Sequence, residues 1–278
     1  MPTMRLEDVN KDIPKVPTET YIQASQFIQK HTLSLLKGSR SPNTPEQTAV
    51  VGTGSLIWIR DKYFLLTAGH VWAAFDGEAA IFISRIDSIT HSSYLLKDAL
   101  TPTTFVELGE ETPWSPDLVL LEIPKPMATE LETRHSFFAI ALEKPEPAEL
   151  QWQPDYIAMG TPGMLSEVEP DALYFEVRGF FCHPIEYEEQ DDVDFVVIRP
   201  HQEELSDLKK VTDFGGMSGG GFWEVLYFTT EDGKIDFNLR FLGVVFWQDD
   251  GLLRCQGRKA IGSVVNRLAK PSVVSLKL

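Results

Sequence analysis

The sequence predicts an all-β protein whose strands fall into two groups of similar size, with one helix at each end of the chain. Two observations lead to this prediction. Short apolar segments of strand-like pattern recur with turn signals between them, which favours a β-barrel or a sandwich. A proline-rich polar stretch, residues 144–154, lies where one strand group, residues 46–148, gives way to the other, residues 149–278.

The segment ahead of the strands, residues 1–45, combines a polar lead-in with a predicted helix over residues 18–37. Two threonines near its start are candidate N-caps, apolar residues follow at helical spacing, and Gly38 is a stop signal. The same spacing predicts a short second helix over residues 261–268.

After this segment the apolar pattern changes to a period of two, which is typical of strands. Predicted strands of the first group cover residues 50–51, 55–59, 63–66, 80–84, 105–108 and 118–123. Those of the second group cover residues 156–159, 173–177, 195–198, 221–227 and 239–246. Residues 60–62 are predicted to turn a hairpin.

Composition narrows the classes of partner and compartment. The net charge of -16 repels phosphate backbones and anionic lipid, so neither nucleic acid nor a membrane is a predicted partner. No apolar run approaches the ~20 residues that span a bilayer, and the N-terminus lacks the apolar core of a signal peptide. With only Cys182 and Cys255, the chain fits a reducing compartment, which predicts a cytoplasmic location. Whether these two cysteines pair is left open by the sequence.

A histidine and two aspartates beside predicted strands are the first candidates for chemistry. The motif LLTAGHV ends a strand in small residues and delivers His70, where an imidazole can act as a general base. Asp117 heads an apolar strand and can accept the other N–H of such an imidazole. Asp194 heads a similar strand and is the rival acid.

A serine stands among five glycines in the run GGMSGGG, residues 215–221. An acyl-transfer site needs such a loop, because the N–H groups of Gly216 and Ser218 can then converge on a developing oxyanion while the hydroxyl stays exposed. A phosphate-binding loop is disfavoured, since the Walker lysine is missing and a strand follows. His-x-x-x-His and Cys-x-x-Cys motifs are also missing, so neither a metal nor a cofactor is predicted.

The chain order His, Asp, Ser distinguishes one class of triad-bearing folds, and together with the motifs it resembles the chymotrypsin/trypsin family of serine peptidases. LLTAGHV resembles the family's T-A-x-H, DLVLLEI its D-I-A-L-L strand, GGMSGGG its G-D-S-G-G-P loop, and FLGVVFWQ its G-I-V-S-W-G strand. The resemblance covers residues 48–270 and is strongest to bacterial members that lack disulfides.

This resemblance implies two six-stranded antiparallel β-barrels of the chymotrypsin type with the active site between them. His70 and Asp117 would come from the first barrel and Ser218 from the second, which favours Asp117 over Asp194 as the acid. The implied activity is that of a serine endopeptidase acting on protein or peptide through an acyl-enzyme. Extended substrate would pair with the strand that carries Val245, Phe246, Trp247 and Gln248.

Three positions depart from the family's pattern. Met217 stands where digestive members have an aspartate that pairs with a newly cut N-terminus, so that route of activation is not expected. Gln248 stands where trypsin-like members have a glycine that leaves the specificity pocket open, and its side chain would narrow that pocket. Thr212 occupies the position of the pocket base and Asp213 follows it, so the specificity is left open.

A second hypothesis is a trypsin-fold protein-binding module, either catalytically silent or active only with a regulatory protein partner. Met217 and Gln248 are the residues that would distort or block the site. The leading helix and the acidic segment 186–194 are candidate regulatory surfaces. The alternative for these two features is a helix that covers a barrel end and a solvated loop.

Overall fold

The computed structural model shows a predominantly β chain. It describes residues 16–37, 49–75, 81–83, 92–94, 101–105, 117–140, 152–165, 167–169, 172–174, 176–190, 193–201, 211 and 213–268. Thr212 and the ends of the strands predicted at 80–84 and 105–108 lie outside these residues.

The first half of the chain forms a six-stranded sheet and a separate small hairpin. Its strands are β1 (Thr32–Lys37), β2 (Ala49–Ile59), β3 (Lys62–Ala68), β4 (Ile81–Ile83), β5 (Ser92–Tyr94), β6 (Thr101–Phe105), β7 (Leu118–Ile123) and β8 (Phe138–Ala139). Hydrogen bonds connect the sheet in the order β1-β2-β3-β7-β6, and β8 pairs with β2 in parallel. Arg60 and Asp61, both with positive φ, turn the predicted hairpin between β2 and β3.

The second half forms a closed antiparallel barrel. Its strands are β9 (Asp155–Gly160), β10 (Glu167–Glu169), β11 (Ala172–Tyr174), β12 (Arg178–Gln190), β13 (Val193–Pro200), β14 (Gly221–Thr229), β15 (Ile235–Asp249) and β16 (Leu252–Gln256). Six of them close in the order β12-β13-β16-β15-β14-β9, while β10 and β11 pair with each other. The six-stranded antiparallel barrel expected in this half is therefore confirmed.

A closed barrel is also expected in the first half of the chain, and the described residues there do not show one. Within the described residues its sheet stays open, because no hydrogen-bonded pair joins the two edge strands β1 and β6. Strand β4 lies beside β1, yet it hydrogen-bonds to β5 and not to the sheet. Strands β4 and β5, which would be needed to close the ring, thus hydrogen-bond to each other.

Short helices surround the strands. They are α1 (Thr18–Gln29), α2 (Gly69–Ala73), α3 (Lys125–Leu131) and α4 (Arg258–Arg267). Helix α1 packs against β9, β12 and β15, and the ring of Tyr21 meets those of Phe181 and Tyr227 edge-on. The leading helix therefore covers the barrel, which is one of the two alternatives that the sequence offered. Across the described ranges, none of the helices is long and apolar enough to cross a bilayer.

The leading helix is shorter than predicted. It ends at Gln29, and residues 32–37 form strand β1, which pairs with β2 from Thr32↔Ser55 to Lys37↔Ala49. Residues 32–36 are all buried, so this segment is covered on both faces. A short buried segment such as TLSLLK is compatible with a strand as well as with a helix, and the pairing with β2 decides between them.

The acidic segment 186–194 is not a solvated loop where the structure describes it. Its residues lie in the β12–β13 hairpin, with Glu189 opposite Asp194. Glu188 forms a 2.5 Å ion pair with Arg254, and Glu189 pairs with Lys259. Arg254 and Lys259, on neighbouring elements, therefore offset the negative charge of a segment whose composition is typical of a loop.

One hydrophobic core joins the two halves of the chain. Ile57, Phe64 and Leu120 from the sheet and Trp223 and Val244 from the barrel are buried in the same cluster. Burying apolar surface from both halves together fixes strands β3 and β7 relative to β14 and β15. The loops at the ends of these four strands carry the candidate site.

Both cysteines are free thiols inside the barrel. Burial raises the pKa of Cys182 to about 12 and that of Cys255 well above its ordinary value. Protonated thiols of this kind behave as small apolar side chains and are unreactive. Cys182 and Cys255 therefore do not form the disulfide that the sequence left open.

A buried histidine is expected to make stability depend on pH. Burial lowers the pKa of His31 to about 4, although its Nδ1–H donates to the Ser136 carbonyl oxygen at 2.7 Å. Below pH ~6.5 His31 binds a proton in the unfolded chain but stays neutral in the folded protein. The free energy of unfolding therefore falls by about 3 kcal/mol as the pH drops to 4. Urea unfolding at several pH values should show a smaller decline in His31→Gln than in wild type. Exposed His201→Gln is the control, and parallel curves for wild type and His31→Gln would contradict the prediction.

Candidate active site

His70 and Asp117 meet where strands β3 and β7 lie side by side. The register pairs Ala68 with Leu118, which brings the residue after β3 next to the residue before β7. Asp117 Oδ1 accepts the backbone N–H of His70 at 2.9 Å, and Oδ2 accepts the N–H of the His70 ring at Nδ1. With the ring proton on Nδ1, the lone pair of Nε2 is left to act as a base.

Gly69 allows the carboxylate of Asp117 to come this close. A Cβ atom at residue 69 would lie 2.7 Å from Asp117 Oδ1, and the N–H of Gly69 donates to the Asp117 carbonyl oxygen at 3.0 Å. Asp117 is buried, while nearly half of the His70 side chain is exposed. The acid is therefore fixed in the protein and the imidazole faces the surface.

Asp194, the rival acid, has another role. Its Oδ1 accepts the N–H of Ala260 in the first turn of helix α4 at 3.0 Å, and its carbonyl oxygen accepts the N–H of Gly257. A carboxylate at this position caps the helix and interacts favourably with its dipole. The structure thus uses Asp117 at the candidate site and Asp194 to hold the C-terminal helix.

Ser218 lies in the loop before β14, and backbone hydrogen bonds hold this loop between β2 and β15. Thr53 N–H donates to the Ser218 carbonyl oxygen at 2.7 Å, and Gly219 N–H donates to that of Val245 at 2.7 Å. The Ser218 hydroxyl donates a long hydrogen bond, 3.4 Å, to the carbonyl oxygen of Phe246. The nucleophile candidate is therefore held by both halves of the chain and points toward β15.

Two glycines of the loop take backbone conformations that other residues adopt with strain. Gly216 has φ +89° and Gly219 has φ +88°, and a Cβ atom on Gly219 would lie 1.9 Å from the Thr53 carbonyl oxygen. Within the part of the chain that the structure describes, neither the Gly216 nor the Ser218 amide donates a hydrogen bond. These two N–H groups, one of them on Ser218 itself, are therefore candidate donors to a developing oxyanion.

Met217 anchors the Ser218 loop in the barrel through apolar packing. It is fully buried in a cluster with Ala158, Phe214 and Phe222. Gly160 makes room for it, since a Cβ atom there would lie 2.7 Å from the Met217 sulfur. Apolar packing of the Met217 thioether therefore holds this part of the loop.

His70 and Ser218 line one cavity of 340 Å³. Val245, Phe246, Trp247 and Gln248 line it as well, so the structure brings these predicted site residues together. Asp213 is not among the described residues that line the cavity, and Thr212 lies outside the described residues. Phe214, Gly215 and Leu253, which no sequence motif singles out, also line the cavity.

The cavity brings together a base with a fixed tautomer and a hydroxyl nucleophile that carries its own undonated amide, whereas Gly216 is not among the described residues that line it. These groups support nucleophilic acyl transfer without any further group. Among the described residues, no cluster of three or more His, Cys, Asp or Glu side chains is placed to hold a metal ion.

No known family model matches the chain, and no curated protein matches its sequence. Among solved structures, one similar chain comes from work reporting that aromatic interactions drive the coupled folding and binding of the intrinsically disordered Sesbania mosaic virus VPg protein. The two chains share 14% sequence identity, and the match covers 84% of this chain and 89% of that chain with a TM-score of 0.43. A likeness of this degree carries no argument about fold or function.

Proposed function

We propose that this protein is a serine endopeptidase of the chymotrypsin/trypsin type, with His70, Asp117 and Ser218 as its catalytic triad. The open sheet of the first half is then the counterpart of the family's first barrel. The observation that carries the proposal is the two-point contact of Asp117 with the backbone and the ring of His70. A carboxylate held in this way fixes the tautomer and orientation of a general base, which a merely structural ion pair does not need.

In the proposed reaction, Nε2 of His70 takes the proton of the Ser218 hydroxyl as Oγ attacks the carbonyl carbon of a peptide bond. The N–H groups of Gly216 and Ser218 then bind the oxyanion. His70 gives its proton to the leaving amine, and the acyl group stays on Oγ. A water molecule, deprotonated by His70, attacks the acyl carbon and releases the carboxylic acid with Ser218 restored.

Strand β15 offers an edge on which extended substrate can pair. It bonds to β14 only as far as Val244↔Gly221, while residues 245–249 continue to pair with β16 on the other side. Among the described residues no strand pairs with the edge of Phe246 to Gln248 that faces the cavity, and Trp247 is exposed beside it, so a peptide backbone can pair there. Backbone pairing supplies affinity in such strand addition, and side-chain pockets supply the choice of substrate.

One observation favours a second candidate, a peptidase or binding module gated by a regulatory protein. The Ser218 hydroxyl donates to the Phe246 carbonyl oxygen and not to His70. It must rotate toward Nε2 before the first proton transfer can occur. Catalytic hydrogen bonds are often long or misaligned without substrate, so substrate itself can supply this step. In the gated alternative a partner protein supplies it.

A fluorophosphonate probe separates these candidates, because it reacts with a serine only when a base activates it. The constitutive peptidase predicts labelling of wild type at Ser218 and none in Ser218→Ala or His70→Ala. Circular dichroism shows whether each variant is folded. Folded wild type that resists the probe would refute the constitutive peptidase. Labelling that appears only on adding a partner protein would identify the gated form.

A further inference from the structure

The side chain of Gln248 connects two segments that line the cavity beside Ser218. It belongs to β15, and its Oε1 accepts the N–H of Phe214 at 2.6 Å. Its Nε2 donates to Asp213 Oδ1 at 2.9 Å. The two ends of the amide thus tie β15 to the segment that leads into the Ser218 loop. Gln248 is exposed, but both hydrogen-bonding ends of its side chain are engaged, so the amide is held in place at the cavity wall.

Apolar side chains form much of the cavity wall near this bridge. Phe214, Val245 and Leu253 line it and are all buried. The whole cavity measures 340 Å³ and includes His70 and Ser218, so part of it must hold the reacting peptide group. Apart from His70, the described residues that line the cavity carry no ionisable side chain, and Gln248 limits the space that remains for the side chain of the attacked residue, here called P1.

The carboxylate of Asp213, itself exposed to solvent, lies at one end of the bridge. Asp213 Oδ1 accepts two hydrogen bonds, from the backbone N–H of Gly215 at 2.8 Å and from Gln248. These two donors, Gly215 first, lower the pKa of Asp213. Because Gln248 lines the cavity and Asp213 does not, the amide separates this negative charge from any side chain in the cavity.

We propose that Gln248 determines the specificity of the site: by bridging to Phe214 and Asp213 it restricts P1 to small uncharged residues, and it screens the Asp213 carboxylate from basic ones. This inference rests on the proposed peptidase function and adds the class of substrate. The bridge acts in two ways, since it removes volume that a large side chain needs and places an amide between the cavity and the carboxylate that would attract a lysine.

The test is a set of fluorogenic peptides that differ only at P1, with Ala, Val, Phe, Lys or Glu. Wild type is expected to cleave the Ala and Val peptides with kcat/KM at least about 10-fold above those for Phe and Lys. Gln248→Ala should raise kcat/KM for both Phe and Lys by about 10-fold relative to Ala. In Gln248→Ala with Asp213→Asn, the gain for Lys should be lost while the gain for Phe persists, because only Lys depends on the charge.

The single variant Asp213→Asn is the matched control. Its side-chain carbonyl can still accept from Gln248, so the order of preference should match that of wild type. Fluorophosphonate labelling is measured on every variant alongside the peptides. Labelled enzyme whose P1 preference is unchanged by Gln248→Ala, or wild type that prefers Phe or Lys, would overturn this inference alone. Absence of labelling in all of them would overturn the proposed function and this inference with it.

Discussion

Replacing Asp117 with asparagine is expected to lower kcat for peptide hydrolysis by about 10,000-fold. The carboxylate accepts two N–H groups of His70, one from the backbone and one from Nδ1 of the ring. An asparagine side chain has one acceptor oxygen and one donor NH₂, so it cannot accept both. When the NH₂ faces the ring, the imidazole proton moves to Nε2, where the base can no longer take the proton of Ser218.

The rival acid provides a matched control for this result. Asp194→Asn makes the same chemical change at the residue that caps helix α4, and asparagine caps helices about as well as aspartate. This variant should keep kcat near that of wild type with little loss of stability. The measurements are kcat on a peptide substrate and the urea unfolding midpoint. Equal losses of kcat in the two variants would reject Asp117 as the acid of the triad.

The residues of the proposed triad could be predicted from the sequence because each belongs to a local motif. His70 follows the end of a predicted strand, Asp117 precedes another, and Ser218 stands among glycines. The strand over residues 118–123 has the predicted bounds. What the sequence could not provide was the register between β3 and β7, which pairs Ala68 with Leu118 and brings the first two residues together. Register depends on pairing across the sheet and not on local pattern.

Strand β12 escaped prediction for a different reason. Its 13 residues include Pro184 and several glutamates, which are depleted in strands. A register shift between Pro184 and Glu186 accommodates the proline, and the ion pairs with Arg254 and Lys259 offset the charge. These compensations come from residues about 70 positions away along the chain. No local pattern contains that information.

The cavity wall shows the same limit within the site itself. The resemblance predicts that Gln248 narrows the pocket, but no local pattern in the sequence indicates the amide bridge to Phe214 and Asp213. Leu253 lines the cavity because β16 pairs with β15 at Gln248↔Leu253. Predicting either contact requires the closed barrel, since β16 had not been recognised as a strand.

Replacing Met217 with aspartate is expected to destabilise the protein by about 3–5 kcal/mol at pH 8, although digestive members of the family that the sequence resembles carry an aspartate at the matching position. The side chain is fully buried among Ala158, Phe214 and Phe222, with Gly160 packed against its sulfur. A carboxylate there would lose its hydration without gaining a partner from this apolar cluster. The loop that carries the Gly216 and Ser218 amides would also lose its anchor, so labelling by the fluorophosphonate probe should fall.

The dependence of this loss on pH distinguishes buried charge from lost packing. Burial would raise the pKa of the new carboxyl above its unfolded value of about 3.9. The penalty of ionisation is then absent below pH ~4 and grows as pH rises toward the folded-state pKa. Met217→Asn has the same shape without the charge, so urea unfolding should separate the two variants more at pH 8 than at pH 5. If Met217→Asp is as stable as wild type at pH 8, a cation must reach the site, and activation by a newly cut N-terminus would again be open to this protein.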